Sequence, residues 1–108
     1  MCDSLGQAVD ILLADIAGKA SDDPASSYTA KLLANGTSLC AKKLGEEGVE
    51  LALALVAGTK EEIASEAADL IYHIAVALKS AAVSGEDVAA VLAHRRGISG
   101  LDEKASRG

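Results

Sequence analysis

Two pairs of acidic residues, each pair three positions apart, are the part of this sequence best suited to chemistry. The first pair is Glu47 and Glu50, and the second is Glu66 and Asp69. Residues three apart share a helix face, and carboxylate oxygens are the ligands that Mg²⁺ and Mn²⁺ prefer. At ~5 Å and an effective dielectric of about 20, two carboxylates repel each other by about 3 kcal/mol. A cluster of all four would therefore be stabilised by a bound cation.

The positions of these acids about Gly58 predict that they meet. Glu50 and Glu66 each lie eight residues from Gly58, and Glu47 and Asp69 each lie eleven residues from it. A helical hairpin that folds at Gly58 places Glu50 level with Glu66, and Glu47 level with Asp69. Each pair also flanks an apolar helix face, so the acids converge at one edge of the hairpin when the apolar faces pack together.

Each of these features also has a structural interpretation. Acid pairs are common on solvated helix faces, and Lys43 lies four residues before Glu47, where an ordinary ion pair forms. Glu46 lies about a quarter turn off the acidic face and is an additional candidate ligand. His73, four residues after Asp69, is interpreted as a partly buried histidine bonded to a neighbour; the alternative is that it orients a metal-bound group. A di-iron site is excluded because it needs Glu-x-x-His on two helices.

Helical periodicity predicts the elements that must position the acids. Thr59 and Ser84 are each followed by an acid three residues later, which is the capping-box pattern of a helix start. Gly36 is expected to end the second helix, and Thr37 or Ser38 to cap the third. The expected helices cover, approximately, residues 4–18, 27–35, 37–57, 59–83 and 84–96.

The composition favours an all-α fold. The 108 residues include no Phe, no Trp, two Tyr and one Pro, so Ala, Leu, Ile and Val must form the core. We expect an antiparallel bundle of about five helices built around a central helical hairpin. Its helices carry more apolar surface than one small bundle easily covers, a composition that permits a dimer. Residues 1–96 are expected to form the helical domain and residues 97–108 a mobile tail that could order on substrate binding.

The charge and the cysteines exclude several classes of protein. The formal net charge is −6, which argues against binding to nucleic-acid phosphates or to an anionic membrane surface. Cys2 and Cys40 form no CxxC pair, so zinc and dithiol chemistry have no support. With no signal peptide and no apolar run of about 20 residues, we expect a cytoplasmic protein.

Four segments together resemble one enzyme family. They are residues 27–33 (Ser-Tyr-Thr-Ala-Lys-Leu-Leu), 41–50 (Ala-Lys-Lys-Leu-Gly-Glu-Glu-Gly-Val-Glu), 66–73 (Glu-Ala-Ala-Asp-Leu-Ile-Tyr-His) and the basic tail 95–107. These segments closely resemble the phosphoribosyl-ATP pyrophosphatases, and the resemblance runs over nearly the whole chain. The acid motifs alone indicate only the wider all-α nucleoside-triphosphate pyrophosphatase superfamily. The second helix and the tail make the match specific.

The resemblance implies Mg²⁺-dependent hydrolysis of phosphoribosyl-ATP to phosphoribosyl-AMP and pyrophosphate, the second step of histidine biosynthesis, by a homodimer. Mn²⁺ is the expected substitute for Mg²⁺. It also implies that Glu47, Glu50, Glu66 and Asp69 are the metal ligands, joined by Glu46 as a further candidate. One carboxylate could deprotonate water, and the sequence leaves open which one. The implied substrate contacts are Lys42, Lys43, Tyr28, Lys31, Arg95, Arg96, Lys104 and Arg107.

Two alternatives stay open at this point. A house-cleaning pyrophosphatase that acts on other nucleoside triphosphates would have the same acidic residues. A helical dimerisation module without catalysis would carry the acids only as solvated surface and would bind no divalent cation.

Overall fold

Five helices make up most of residues 4–97, which is the part of the chain that this computed structural model describes. Within those residues no strand is present, so the predicted all-α fold is confirmed. The proposed tail falls almost entirely outside them, including Lys104 and Arg107, and remains a prediction. The helices are α1 (Leu5–Lys19), α2 (Tyr28–Ala34), α3 (Thr37–Ala57), α4 (Lys60–Ser80) and α5 (Gly85–Arg95).

The hairpin of α3 and α4 is the centre of the structure, and it turns where the sequence predicts. Gly58 ends α3 with its N–H donating to the carbonyl oxygen of Ala54 at 2.7 Å. A Cβ atom at position 58 would lie only 2.7 Å from that same oxygen, so the turn requires glycine. Thr59 then caps α4, and its hydroxyl and the side chain of Glu62 bond reciprocally to backbone N–H groups.

The other end of the hairpin differs from the prediction in two ways. The N-cap of α3 is Gly36, with φ of 87°, and not Thr37 or Ser38. The Thr37 hydroxyl instead donates to the carbonyl oxygen of Ser80 at 3.2 Å and joins the beginning of α3 to the end of α4. Helix α4 ends three residues earlier than predicted because Ala82 adopts a left-handed conformation with φ of 58°. The Val83 N–H then turns back to a carbonyl oxygen inside the helix.

The core lies where α1 and α2 pack against the hairpin. Each of these four helices contributes a nearly inaccessible side chain: Ile16, Leu32, Cys40 and Val76. By contrast α5 contains no buried residue. The core is therefore concentrated around the second half of α4, and the hairpin projects beyond it toward Gly58.

Apolar side chains remain exposed on the projecting part of α3. Val49, Leu53, Leu55 and Val56 are all more than half accessible, and Val56 is 88% exposed. None of the helices in residues 4–97 is both long enough and apolar enough to cross a membrane. Val49, Leu53, Leu55 and Val56 form an apolar surface that a single copy of the described chain leaves uncovered.

Candidate metal and substrate site

Three of the four predicted carboxylates meet at one edge of the hairpin. One oxygen atom from each of Glu47, Glu66 and Asp69 lies within 4.8 Å of the other two. Glu47 and Glu66 are half-buried, and Asp69 is exposed. The predicted convergence across the turn is therefore present, with α3 supplying one of these residues and α4 supplying two. We call these three residues the acidic cluster.

The spacing of the acidic cluster fits a small divalent cation. An octahedral Mg²⁺ with ligands at about 2.1 Å has adjacent ligand oxygens about 3 Å apart and opposite ones about 4.2 Å apart. The three oxygens span at most 4.8 Å, so a small contraction brings them to coordinating positions. Three carboxylates also leave coordination positions for water or for phosphate oxygens.

Glu50 is the fourth predicted acid and is not part of the acidic cluster. It lines a cleft of about 340 Å³ together with Glu66 and residues beside the hairpin turn. Partial burial of the Glu66 carboxyl, followed by the negative charges of Asp69, Glu50 and Glu47, raises its pKa above the ordinary value. Glu50 is therefore close enough to act on Glu66 electrostatically, on the side of the cluster that faces Gly58.

The lysine residues before Glu47 on α3 do not form the ion pair that the sequence predicts. Lys43 forms an ion pair with Glu46 at 3.4 Å, three residues along the helix, rather than with Glu47. The expected pair between Lys43 and Glu47 was therefore wrong, and Glu47 stays available to the cluster. Glu46, the additional candidate ligand, has its carboxylate directed to Lys43. Lys42 is exposed on α3.

His73 is held by hydrogen bonds one turn after Asp69, as the structural interpretation predicted. Its side chain is 7% exposed. Its Nδ1 lies 2.8 Å from the backbone carbonyl oxygen of Asp69, and because a carbonyl can only accept, Nδ1 carries the proton. Nε2 is then the acceptor for the hydroxyl of Tyr28 at 3.4 Å. The imidazole thus connects the beginning of α2 to the turn of α4 that carries Asp69.

A second tyrosine completes a cluster that sequence reasoning missed. The rings of Tyr28 and Tyr72 stack with centroids 6.3 Å apart, and the Tyr72 hydroxyl is hydrogen-bonded to the Thr29 hydroxyl. Together with Lys19 and Ser27, these residues line a polar cleft of about 390 Å³. The chain has no Phe and no Trp, and Tyr28 and Tyr72 are its only two Tyr residues. This scarcity was the one feature of the sequence that could have suggested that the two rings pack together.

The remaining basic candidates lie on two other helices. Lys31 is exposed on α2. Arg95 is the last residue of α5, and Arg96 is its C-cap. Leu92, one turn before them, lines the same groove as Ile71, which is two residues after Asp69. The end of α5 therefore packs near the same level of α4 as Asp69, but against a different face of that helix, because residues two apart on a helix point to nearly opposite sides.

Comparison with known proteins identifies the family. A family model described as phosphoribosyl-ATP pyrophosphohydrolase matches residues 10–96. Proteins named phosphoribosyl-ATP pyrophosphatase from Dinoroseobacter shibae and Methylobacterium radiotolerans are each 50% identical over 96 residues. That alignment covers 89% of this chain and 94% and 90% of theirs, respectively. A protein of the same name from Novosphingobium aromaticivorans is 47% identical over 102 residues, 94% of this chain and 95% of its own. The chain therefore belongs to the phosphoribosyl-ATP pyrophosphohydrolase family.

Proposed function

We propose that this protein hydrolyses the α–β phosphoanhydride of phosphoribosyl-ATP and releases phosphoribosyl-AMP and pyrophosphate, the second step of histidine biosynthesis. The observation that carries the proposal is the acidic cluster, in which three carboxylates from both arms of the hairpin meet within 4.8 Å. Family membership identifies the reaction, and the cluster supplies the kind of site that this reaction needs.

Glu47, Glu66 and Asp69 are the residues that would hold the divalent cation, with Mg²⁺ the proposed metal and Mn²⁺ its substitute. When bound, such an ion neutralises phosphate charge and polarises the anhydride. Glu50 has a different role in this proposal. It lies beside Glu66 but outside the group of three, so its carboxylate remains able to accept a proton from the attacking water.

The cationic residues that the family resemblance singles out are the proposed phosphate contacts. Arg95 and Arg96 lie at the end of α5, one turn after Leu92, which shares a groove with Ile71 of α4. Guanidinium groups suit phosphate oxygens because they offer paired donors. The remaining proposed contacts are Lys42, Lys43, Tyr28, Lys31, Lys104 and Arg107.

The active form is proposed to be a homodimer that works in the cytoplasm. The exposed apolar residues of α3, which include Leu53 and Val56, are the kind of surface that a second copy covers. Cys40 is a free thiol, and a reducing compartment keeps it in that form. Light scattering after size-exclusion chromatography tests the dimer, and a monomeric mass at micromolar concentration would contradict it.

The function is tested by measuring pyrophosphate release from phosphoribosyl-ATP, with Mg²⁺, with Mn²⁺ and with excess chelator. A panel of ordinary and damaged nucleoside triphosphates is measured beside it. We expect release from phosphoribosyl-ATP that depends on the metal, and much slower release from the panel. Glu50→Gln should lower the rate strongly, and Glu61→Gln, an exposed acid in the first turn of α4, is the matched control.

Two results would contradict the proposal. Faster release from the panel than from phosphoribosyl-ATP would assign the protein to house-cleaning of nucleotides. No release from any substrate by a folded sample, together with no Mn²⁺ binding by calorimetry, would make the acidic cluster a solvated surface of a dimerisation module.

A further inference from the structure

The direction of α2 relative to the acidic cluster carries an inference about substrate specificity. Helix α2 begins at Tyr28, which contacts His73, four residues beyond Asp69 on the side away from the hairpin turn. It ends at Ala34, and in its last turn the carbonyl oxygen of Leu32 accepts a hydrogen bond from the thiol of Cys40 at 3.5 Å. Helix α2 therefore starts near the acidic cluster and extends away from it.

The rise of a helix gives the scale of this arrangement. At ~1.5 Å per residue, the four residues from Asp69 to His73 span about 6 Å along α4. Cys40 lies seven residues before Glu47 on α3, or about 10 Å from the level of the acidic cluster. The first turn of α2 is thus about 6 Å along the bundle from the cluster, and its last turn is about 10 Å from it.

Tyr28 and Lys31 occupy neighbouring positions on the solvent side of α2. They are three residues apart and therefore adjacent on one helix face. Tyr28 is 51% exposed even though its hydroxyl is bonded to His73 and its ring stacks on Tyr72. Lys31 is exposed, and within residues 4–97 it forms no ion pair. A fixed aromatic ring and an unpaired ammonium group therefore follow the acidic cluster in that order.

The chemical groups of phosphoribosyl-ATP follow one another in a matching order. Its triphosphate is followed by a ribose, then by the adenine ring, and then by a second ribose that carries a 5-phosphate. ATP has no group after the adenine ring. Aromatic side chains stack on bases without regard to their identity, and a lysine ammonium binds a phosphate as a point charge.

From this match we infer that Tyr28 stacks on the base of the substrate and that Lys31 binds the 5-phosphate of its phosphoribosyl group. Lys31 is then a specificity residue that separates phosphoribosyl-ATP from ATP. His73 is a positioning residue, because its hydrogen bond fixes the Tyr28 ring relative to Asp69. The inference rests on the proposed function and identifies which part of the substrate each residue contacts.

The test compares binding of the two product-like nucleotides phosphoribosyl-AMP and AMP, which differ only in the phosphoribosyl group. Calorimetry in the presence of Mg²⁺ is used on the full chain, so no turnover is needed. We expect wild-type protein to bind phosphoribosyl-AMP at least about tenfold more tightly than AMP. Lys31→Gln should remove most of that difference without changing the affinity for AMP, and Lys31→Arg should restore much of it.

Matched variants separate the individual contacts. Lys60→Gln removes an equivalent exposed charge at the beginning of α4 and should leave both affinities unchanged. Tyr28→Leu should weaken both nucleotides about 5- to 100-fold because both contain the base. Tyr28→Phe keeps the ring but loses the bond to His73, and it should weaken both by only a few-fold. Circular dichroism confirms that each variant is folded.

The inference and the function fail in different ways. If Lys31→Gln weakens both nucleotides equally or weakens neither, Lys31 is not the specificity residue, and pyrophosphate release by the wild type is unaffected by that result. If Tyr28→Leu binds both as the wild type does, the stacking contact is overturned. If the wild type releases no pyrophosphate but the Lys31 difference is found, the proposed reaction fails and the binding assignment stands.

Discussion

The two halves of α4 hold their polar side chains under opposite physical conditions. In the first half, Lys60–Asp69, no residue is buried, and the acids of the cluster share one edge with Glu47 of α3. The second half, Leu70–Ser80, contains every buried residue of the helix, including His73. The acids lie close to other carboxyl groups, whereas the buried His73 is paired through both of its ring nitrogens.

This contrast separates groups that stabilise the fold from groups that the fold merely tolerates. Among the described residues, no buried side-chain nitrogen or oxygen lacks a hydrogen-bond partner, and His73 uses both of its ring nitrogens. At Glu66, by contrast, partial burial and each of the neighbouring carboxylates raise the pKa, so the environment opposes the charged form. Repulsion between these carboxylates does not stabilise the fold. Such repulsion is expected at a site where a bound cation or substrate offsets it.

The largest effect should come from removing one charge of the acidic cluster. We expect Glu66→Gln or Asp69→Asn to lower kcat/KM by at least about 100-fold, because a cation ligand is lost. The free energy of unfolding without metal should stay equal or rise, since repulsion is relieved. Urea denaturation and pyrophosphate release measure the two quantities, with Glu61→Gln as the control. If Glu66→Gln or Asp69→Asn kept its activity but lost stability, the acids would be stabilising the fold rather than serving the reaction, and the contrast between the two halves of α4 would be wrong.

The next effect should come from the buried half of the helix. His73→Ala removes a buried ring and two hydrogen bonds, and we expect it to lower the free energy of unfolding by about 2–4 kcal/mol. His94→Ala, on the exposed face of α5, should change it by less than about 0.5 kcal/mol. Chemical denaturation at neutral pH gives both values. Equal effects for the two histidines would show that the polar network contributes no stability.

A smaller effect should appear in the pH dependence of the acidic half. Because folding raises the pKa of Glu66 above 4.5, the folded state binds this proton more readily than the unfolded chain does. Ionised Glu66 therefore destabilises the metal-free fold above its raised pKa, and acidification toward 4.5 removes that cost. The stability advantage of Glu66→Gln over wild type should be largest at neutral pH and shrink on acidification. An advantage that grows as the pH falls would contradict this.

The smallest effect is expected just beyond the buried half, at Ala82. A left-handed conformation costs an L-residue about 1–2 kcal/mol, and the greater freedom of glycine in the unfolded chain offsets about 0.4–1 kcal/mol of that. Ala82→Gly should therefore stabilise the protein by up to about 1 kcal/mol. The matched variant Ala81→Gly has a negative φ and should destabilise it instead. A thermal shift series on metal-free protein measures both, and a loss of stability in Ala82→Gly would contradict the prediction.

The parts of the fold that the sequence predicts are those governed by local patterns. The turn at Gly58 and the capping boxes after Thr59 and Ser84 were predicted and are confirmed. These features depend on backbone groups within about four residues. The convergence of Glu47, Glu66 and Asp69 was also predictable, because equal spacing about a tight turn brings these residues together across a hairpin. The position of Glu50 outside this group was not predicted.

Of the features that the sequence did not predict, two depend on partners far along the chain and one depends on which of two nearby partners a side chain pairs with. The Thr37 hydroxyl donates to the carbonyl oxygen of Ser80 and does not cap its own helix, so Gly36 is the N-cap of α3. Lys43 forms its ion pair with Glu46 and not with Glu47. Ion pairs three and four residues apart on a helix are almost equally favourable, so spacing alone does not decide between them. The pairing of Thr29 with Tyr72 joins residues 43 positions apart, and only the packing of α2 on α4 decides it.

The stacking of Tyr28 on Tyr72 has a consequence for how this protein can be observed. With no Trp and no Phe in the chain, these two phenol rings are its only aromatic side chains of the kind that absorb in the near ultraviolet. The near-ultraviolet spectrum of the folded protein therefore reports on a single place, the contact between α2 and α4. A change in that spectrum signals movement at this one contact, without any introduced label.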